Sequence, residues 1–296
     1  MKNISPSEKL STALIYLTIG LFSILCLLPF VLIISGSFTD ESEIIKEGFK
    51  LIPDKISYTA WIMIWKDFKR ILNGYIVTVT VTGFGTLLSL LVTAMMAYPL
   101  SLPTVKYRNV IAFYAFFTLL FYGGIVPWYI IVSRTLRLRN SIMGLILPYT
   151  INAWNLFLLR NFFRTIPQEI SESAKIDGAG DMTIFFRIIL PLSKPGIATV
   201  GLFIALGYWN DWWLGLMLIE KHNLFPLQLL LRAIVSNVQF LRSAPKDVMA
   251  ADIGGMIPAE GVKMATCLVT IGPIVLLYPF VQKYFIKGIM IGALKG

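Results

Sequence analysis

One histidine, two cysteines and no Gly-Lys dipeptide leave 296 residues with few routes to catalysis. A lone His222 excludes a multi-histidine zinc site and most Ser-His-Asp arrangements. Without Gly-Lys there is no P-loop to cradle a nucleotide phosphate. Gly83-Phe84-Gly85 lacks the third glycine of a dinucleotide fingerprint and sits inside an apolar run, so it reads as helix packing. Cys26 and Cys267 also lie in apolar runs and read as small hydrophobes, not as a disulfide or a metal clip. Charge is scarce: 14% of residues, against about 25% in soluble domains. The net charge of +10 comes without any dense Lys/Arg block. That argues against nucleic-acid binding and fits contact with anionic lipid headgroups. No catalytic residue, metal or cofactor is expected on this chain. Work against a gradient would draw its energy from a partner.

What the chain has in abundance is apolar sequence: 56% hydrophobic residues and a mean hydropathy of +0.74. Several runs exceed the roughly 18 residues that span a bilayer. They are continuous, not alternating, which predicts helices and not a barrel. Six spans are expected, at about Thr12–Ser37 (interrupted by Pro29), Tyr75–Leu100, Val110–Val132, Ile142–Leu159, Pro195–Ile219 and Met264–Val281. The first is too long in its apolar core for a cleaved signal peptide and is read as a retained helix. Asp40 to Arg70 is expected as a mixed-charge loop whose Trp61 and Trp65 suit a membrane interface. Glu220 to Lys263 is expected to be long and partly helical. An even number of spans puts both termini on one side. With the termini inside, inner segments hold 12 Lys/Arg and outer segments 14, so composition leaves the orientation open.

The most informative stretch is "ESAKIDGAGDMTIFFRIILPLSKPGI". Pro167 suits the first turn of a helix capped by Thr165 or Ile166, and Gly178 suits its left-handed termination. Asp181 is then placed to cap a second helix that Pro191 ends, with a fresh start at Ser193 and Pro195. On the first helix Ile166, Ile170 and Ala174 form a narrow apolar stripe, with Glu169, Glu172 and Ile176 on an adjoining face. The small residues Ser171, Ser173, Ala174 and Ala179 would let such a helix enter a cleft on another protein; an ordinary amphipathic surface helix has the same spacing.

This stretch resembles the EAA loop of permease subunits of binding-protein-dependent ABC importers, at Glu172, Ala174, Asp177, Gly178, Ala179, Ile188, Leu190, Pro191 and Pro195. Ser173 stands where the family has its middle alanine. "LILPYTINAWNLFLLRNFFRTIP" and "YPFVQKYFIKGIMIGALKG" are similar to maltose-transporter-type carbohydrate permeases, in a branch serving oligosaccharides, some derived from pectin or alginate. The resemblance implies an all-α membrane protein with the six-helix type I importer permease fold, in the cytoplasmic membrane of a prokaryote. It implies a single permease domain over 1–296, with a core at about 70–285, a cytoplasmic coupling loop at 160–195 and an extracytoplasmic loop at 220–263. Both termini would be cytoplasmic. Glu172, Ala174, Asp177, Gly178, Ala179, Leu190 and Pro191 would form the ATPase-coupling element. The implied partners are a second homologous permease, two ABC ATPase subunits that carry ATP and Mg, an extracytoplasmic solute-binding protein and an oligosaccharide. The "GALKG" tail would also approach the ATPase.

Asp211 in "GYWNDWWLG" lies within the fifth expected span, where a carboxylate costs about 2.5–3.5 kcal/mol, so it should face a wet cavity or a partner. Aromatic faces beside amide and carboxylate groups suit a sugar. Tyr208, Trp209, Asn210, Asp211 and Trp212 are therefore candidates for the substrate path, with Asn152 and Asn155 as weaker ones. An interfacial tryptophan belt and interhelical hydrogen bonding explain the same residues equally well. An ion-coupled secondary transporter is the alternative reading, with Asp211 as its one intramembrane acid. The outer-side Lys/Arg excess, 14 against 10 acids, is compatible with an acidic oligosaccharide.

Overall fold

A computed structural model describes residues 6–243 and 258–272, and these form two compact units, 6–68 with 233–243 and 258–272, and 69–232. Among the described residues the structure is helical, with one isolated bridge between Thr39 and Ile56. In the first unit, α1 (Pro6–Ser37) carries a 28-residue apolar stretch, Leu10–Ser37, long enough to cross a bilayer. None of the residues in its apolar window is buried within the chain, so it presents its side chains to lipid or to a neighbour.

The segment expected as an interfacial loop is more ordered than its composition implied. It holds α2 (Glu41–Glu47), capped by Asp40, and α3 (Thr59–Lys66). Two buried carboxylates organise it. Glu43 accepts from the backbone N–H groups of Asp54 and Lys55 at 3.0 and 2.9 Å. Glu41 accepts from the N–H groups of Glu260 and Gly261 at 3.1–3.2 Å, capping the helix 259–272 from more than 200 residues away in sequence. Trp61 stacks on Phe38 with ring centroids 5.6 Å apart, while Trp65 stays exposed.

In the second unit α4 (Phe68–Ser101) is the one unbroken span. The next three are bent, where continuous helices were expected. α5 (Arg108–Leu120) and α6 (Ile125–Ile130, running into a π-helical turn Ile131–Thr135) meet at 114°. Gly124 takes φ +90 at the corner, and Pro127 has no N–H to donate. α7 (Ile142–Ile146) passes through a tight turn containing Pro148 and restarts at 55° as α8 (Ala153–Phe163), whose first turn Asn152 caps. Then come α9 (Gln168–Ile176), α10 (Asp181–Ile184), a π-helical turn Phe185–Ile189 and α11 (Leu190–Leu192).

Pro191 does not end its helix, as expected from its missing N–H. The wider π turn before it absorbs the missing bond, and the chain instead bends by 83° at Ser193 into α12 (Lys194–Trp209). α12 stops ten residues short of the expected Ile219. The Asn210 side-chain amide donates to the Leu206 carbonyl at 2.9 Å and competes with the backbone. α13 (Trp213–Leu218) and α14 (Leu227–Ser243) follow. The expected sixth span lies within the described residues only as far as 272, and the C-terminal tail lies outside them.

α12 packs at two glycines. A Cβ at Gly196 would sit 2.5 Å from the Phe162 ring of α8, and one at Gly85 of α4 would sit 2.8 Å from the Tyr208 ring. Gly85 is thus a packing residue, as its place in an apolar span suggested.

The carboxylate cap makes a testable contrast within the first unit. Glu41→Ala should destabilise the protein by about 2–3 kcal/mol, since charge-assisted buried hydrogen bonds are lost. Glu47→Ala, which removes only an exposed partner of Lys50, should cost under about 1 kcal/mol. Thermal unfolding in detergent would separate the two.

Candidate functional site

The residues expected to be functional fall in two groups. The first is α9 and its corner. Pro167 is the residue preceding α9, one position earlier than expected, and provides no side-chain cap. At the other end the chain closes by a Schellman pair: the Ala179 N–H donates to Ala174 O at 2.9 Å and the Gly178 N–H to Lys175 O at 3.0 Å. Gly178 takes φ +82, the left-handed geometry that a side chain resists. Ala179 packs against the hydrophobic core that includes Ala174, which completes the motif. Asp181 does not cap α10. Gly180 takes that position, and the Asp181 carboxylate instead reaches back over the corner to Lys175 Nζ at 2.9 Å. That hydrogen bond, reinforced by the carboxylate charge, raises the Lys175 pKa.

The faces of α9 are divided sharply. Ser171 and Ala174 are buried, and Ile166 and Ile170 half-buried, so two of the small residues expected to meet a partner are used for packing within the chain. Outward stand Glu169, Glu172, Ser173, Ile176 and Asp177. Ile176 is 86% exposed, one turn on from Glu172. Among the described residues Glu172 has no ion-pair partner. Leu190 packs against the core, while Pro191 is exposed.

The second group surrounds the end of α12. Tyr208 is 3% exposed. Its hydroxyl donates to Ile146 O at 2.8 Å and therefore accepts from Ser89 Oγ, also at 2.8 Å. Trp209 is buried beside Tyr75, its ring N–H without a partner. Asp211 caps the start of α13, accepting from Leu214 N–H at 3.2 Å, and faces the Tyr149 hydroxyl. Asn152 is occupied in capping α8, where it accepts from Asn155 N–H at 3.1 Å; the Asn155 side chain is half-buried.

Asn210 and Trp212 are brought together with two residues of α14 that composition did not single out. Gln228 Nε2 donates to Asn210 Oδ1 at 3.4 Å, and the Arg232 guanidinium lies 3.6 Å from the Trp212 ring centroid. Their four-residue spacing in "PLQLLLRA" was the available signal. His222 is a turn residue whose ring lies against Phe225. Among the described residues no cluster of three or more His, Cys, Asp or Glu side chains could hold a metal ion.

Known proteins match along most of this length. The family described as "Binding-protein-dependent transport system inner membrane component" matches residues 74–291. The polygalacturonan/rhamnogalacturonan transport system permease protein YtcP of Bacillus subtilis (strain 168) is 40% identical over 289 residues, 98% of this chain and 99% of that protein. Protein LplC of the same organism is 39% identical over 280 residues, covering 95% and 93%. Among solved structures, that of a bacterial ABC transporter involved in the import of the acidic polysaccharide alginate matches with a TM-score of 0.79. It is 29% identical, and the match covers 96% of this chain and 100% of that one.

Two substitutions test the local geometry. Gly178→Ala should destabilise the corner by about 1–2 kcal/mol because of its positive φ, whereas Gly180→Ala, with φ −71 and open space around it, should be neutral or slightly stabilising. Tyr208→Phe should cost about 1–2 kcal/mol, since the Ile146 carbonyl loses the Tyr208 donor and Ser89 its acceptor. Thermal unfolding of the purified protein reads both.

Proposed function

The chain belongs to the family of binding-protein-dependent transport system inner membrane components, and from that premise we propose that it imports an oligosaccharide by alternating access, driven through α9. It is a multi-pass permease subunit of an ABC importer; it is not an enzyme, and ATP is hydrolysed by a separate subunit. Importers of this kind combine permease, ATPase and binding-protein components.

Our reading of this chain is more specific. One permease domain spans 1–296, with both termini and the 160–195 loop in the cytoplasm and the 220–263 loop outside. A second, homologous permease pairs with it as a heterodimer, and each permease engages one ATPase subunit. The extracytoplasmic binding protein delivers the sugar to the outer side. The observation that carries this reading is the outward face of α9. An ion-unpaired carboxylate, Glu172, stands beside a fully presented Ile176 on a helix whose other face and C-terminus are fixed by its own chain.

Burying Ile176 in a groove contributes about 1.5–3 kcal/mol. A basic residue of the ATPase would neutralise Glu172. Closure of the ATPases on ATP would draw the two coupling helices together and open the cavity outward, and hydrolysis would reset it. Because α10, the π turn and α11 lead through the 83° bend at Ser193 into α12, displacement of α9 would be passed towards the Asn210–Trp212 region. There Trp212 with Arg232, and Asn210 with Gln228, offer a ring face, a cation and amides to a sugar. An acidic cargo fits that cation and the outer-side positive charge, and two matched proteins have acidic polysaccharides in their names.

Glu172→Arg should abolish uptake, because breaking a buried charge pair costs about 3–5 kcal/mol. In a tagged pull-down from the native membrane, the wild type should bring down a P-loop ATPase and a second permease. The variant should lose the ATPase and keep the permease. Normal uptake by the variant would refute the docking role.

A further inference from the structure

On the inner side of α9, away from its outward face, the turn after α4, the start of α5 and the end of α8 enclose a cavity of about 210 Å³. That is many times the roughly 10–15 Å³ needed by one water. Arg108 and Arg164 line it, together with the polar side chains of Ser101, Gln168 and Ser171 and the ring of Tyr98. Arg160, one turn before Arg164, feels the positive charge of both arginines. Its Nε donates to the Leu100 carbonyl at 2.8 Å, one residue before Ser101 of the cavity wall.

Among the described residues none of the three arginines is ion-paired with a carboxylate. The first turn of α9 adds Pro167 and Gln168 to the wall, and no side chain caps its N–H groups. Its one acid, Glu169, is exposed and does not line the cavity. Like charges held together without a counter-charge repel one another, and guanidinium forks match phosphate oxygens in geometry as well as in sign.

We propose that this cavity binds a phosphate-bearing anion, either inorganic phosphate from solution or the phosphorylated headgroup of an anionic lipid. The occupant bridges Arg108 and Arg164 to the first turn of α9, and so stiffens the base of that helix without touching Glu172. The site is separate from the docking face, and it stands or falls independently of it.

The test uses the purified transport complex containing this chain, in phosphatidylcholine nanodiscs with and without phosphatidylglycerol. A second arm, in phosphatidylcholine alone, adds inorganic phosphate against chloride at matched ionic strength. The wild-type thermal midpoint should rise with at least one probe. A rise with both supports a general phosphate site, with phosphatidylglycerol alone a headgroup site, and with phosphate alone a soluble-anion site. The rise should be lost in Arg108→Gln/Arg164→Gln and kept in Lys106→Gln, an exposed cation on the same turn that does not line the cavity. If the double variant does not assemble, either single variant should need about tenfold more of the active probe, the effect of one charge-assisted hydrogen bond. The proposal is overturned by no rise with either probe, by an undiminished response in the arginine variants, or by an equal loss in Lys106→Gln.

Discussion

The hydroxyl of Tyr208, with that of Thr150 at 3.3 Å, satisfies the carbonyl released where the fourth span breaks. A bilayer offers no water to a backbone group released by a helix break, so each break must be satisfied from within the protein. α7 tightens before Pro148, and the Thr150 N–H turns to Leu147 instead of Ile146. The Ile146 carbonyl, left without its helical donor, receives the Tyr208 proton. Ser89 on α4 then has only one role open to it, as donor to the Tyr208 oxygen. Three helices are joined by one side chain, and Gly85 is needed because its missing Cβ is where the ring lies. Asn152 and Asp211 do the corresponding work for the new starts of α8 and α13.

With the helix breaks satisfied, α9 is held in one conformation. Its inward face meets the core through Ala174, with Ile166 packed against the same cluster, and its C-terminus is closed by two backbone hydrogen bonds at a left-handed glycine. Among the described residues its outward face has no ion-pair partner at Glu169, Glu172 or Asp177. A helix fixed on one face, with Glu169, Glu172 and Asp177 exposed on the other, would have little conformational entropy left to lose on docking. The small residues that first suggested insertion into a cleft serve mainly to bring α9 close to its own core.

The helix, corner and helix of 167–192 were legible from sequence because their determinants are local. Gly178 stops a helix wherever it stands, and Pro167 excludes itself from a helix interior, so helix, corner and helix followed from neighbours in the chain. The boundaries slipped by one residue at each end, since Gly180 and Pro167 took cap positions assigned to Asp181 and to Thr165 or Ile166. The bends were not legible as bends. Hydropathy runs through Gly124 and Thr150 without interruption, and whether such a position kinks depends on a distant donor such as Tyr208. Glu41 was hidden for the same reason: a surface-looking acid in a mixed-charge loop is buried because a helix start 219 residues later needs its oxygens. The arginines at 108, 160 and 164 looked like ordinary interfacial cations, and only the folded chain brings Arg108 to the other two.

The end of α12 shows how geometry sorts a run of candidates that sequence leaves equivalent. Five consecutive residues, 208 to 212, have sugar-compatible chemistry, yet a helix end faces several directions within five residues. Tyr208 and Trp209 turn inward and are committed to packing, Asp211 to capping, and only Asn210 and Trp212 meet the polar groups of α14. A stacked guanidinium on Trp212 leaves the outer edge of its fork available to a carboxylate while the indole below fixes its orientation. α12 runs about 24 Å from Ser193 to Trp209, so Asn210 and Trp212 lie just beyond its end, whereas Gln228 and Arg232 belong to α14. Movement of α12 against α14 would therefore open or close these two contacts directly.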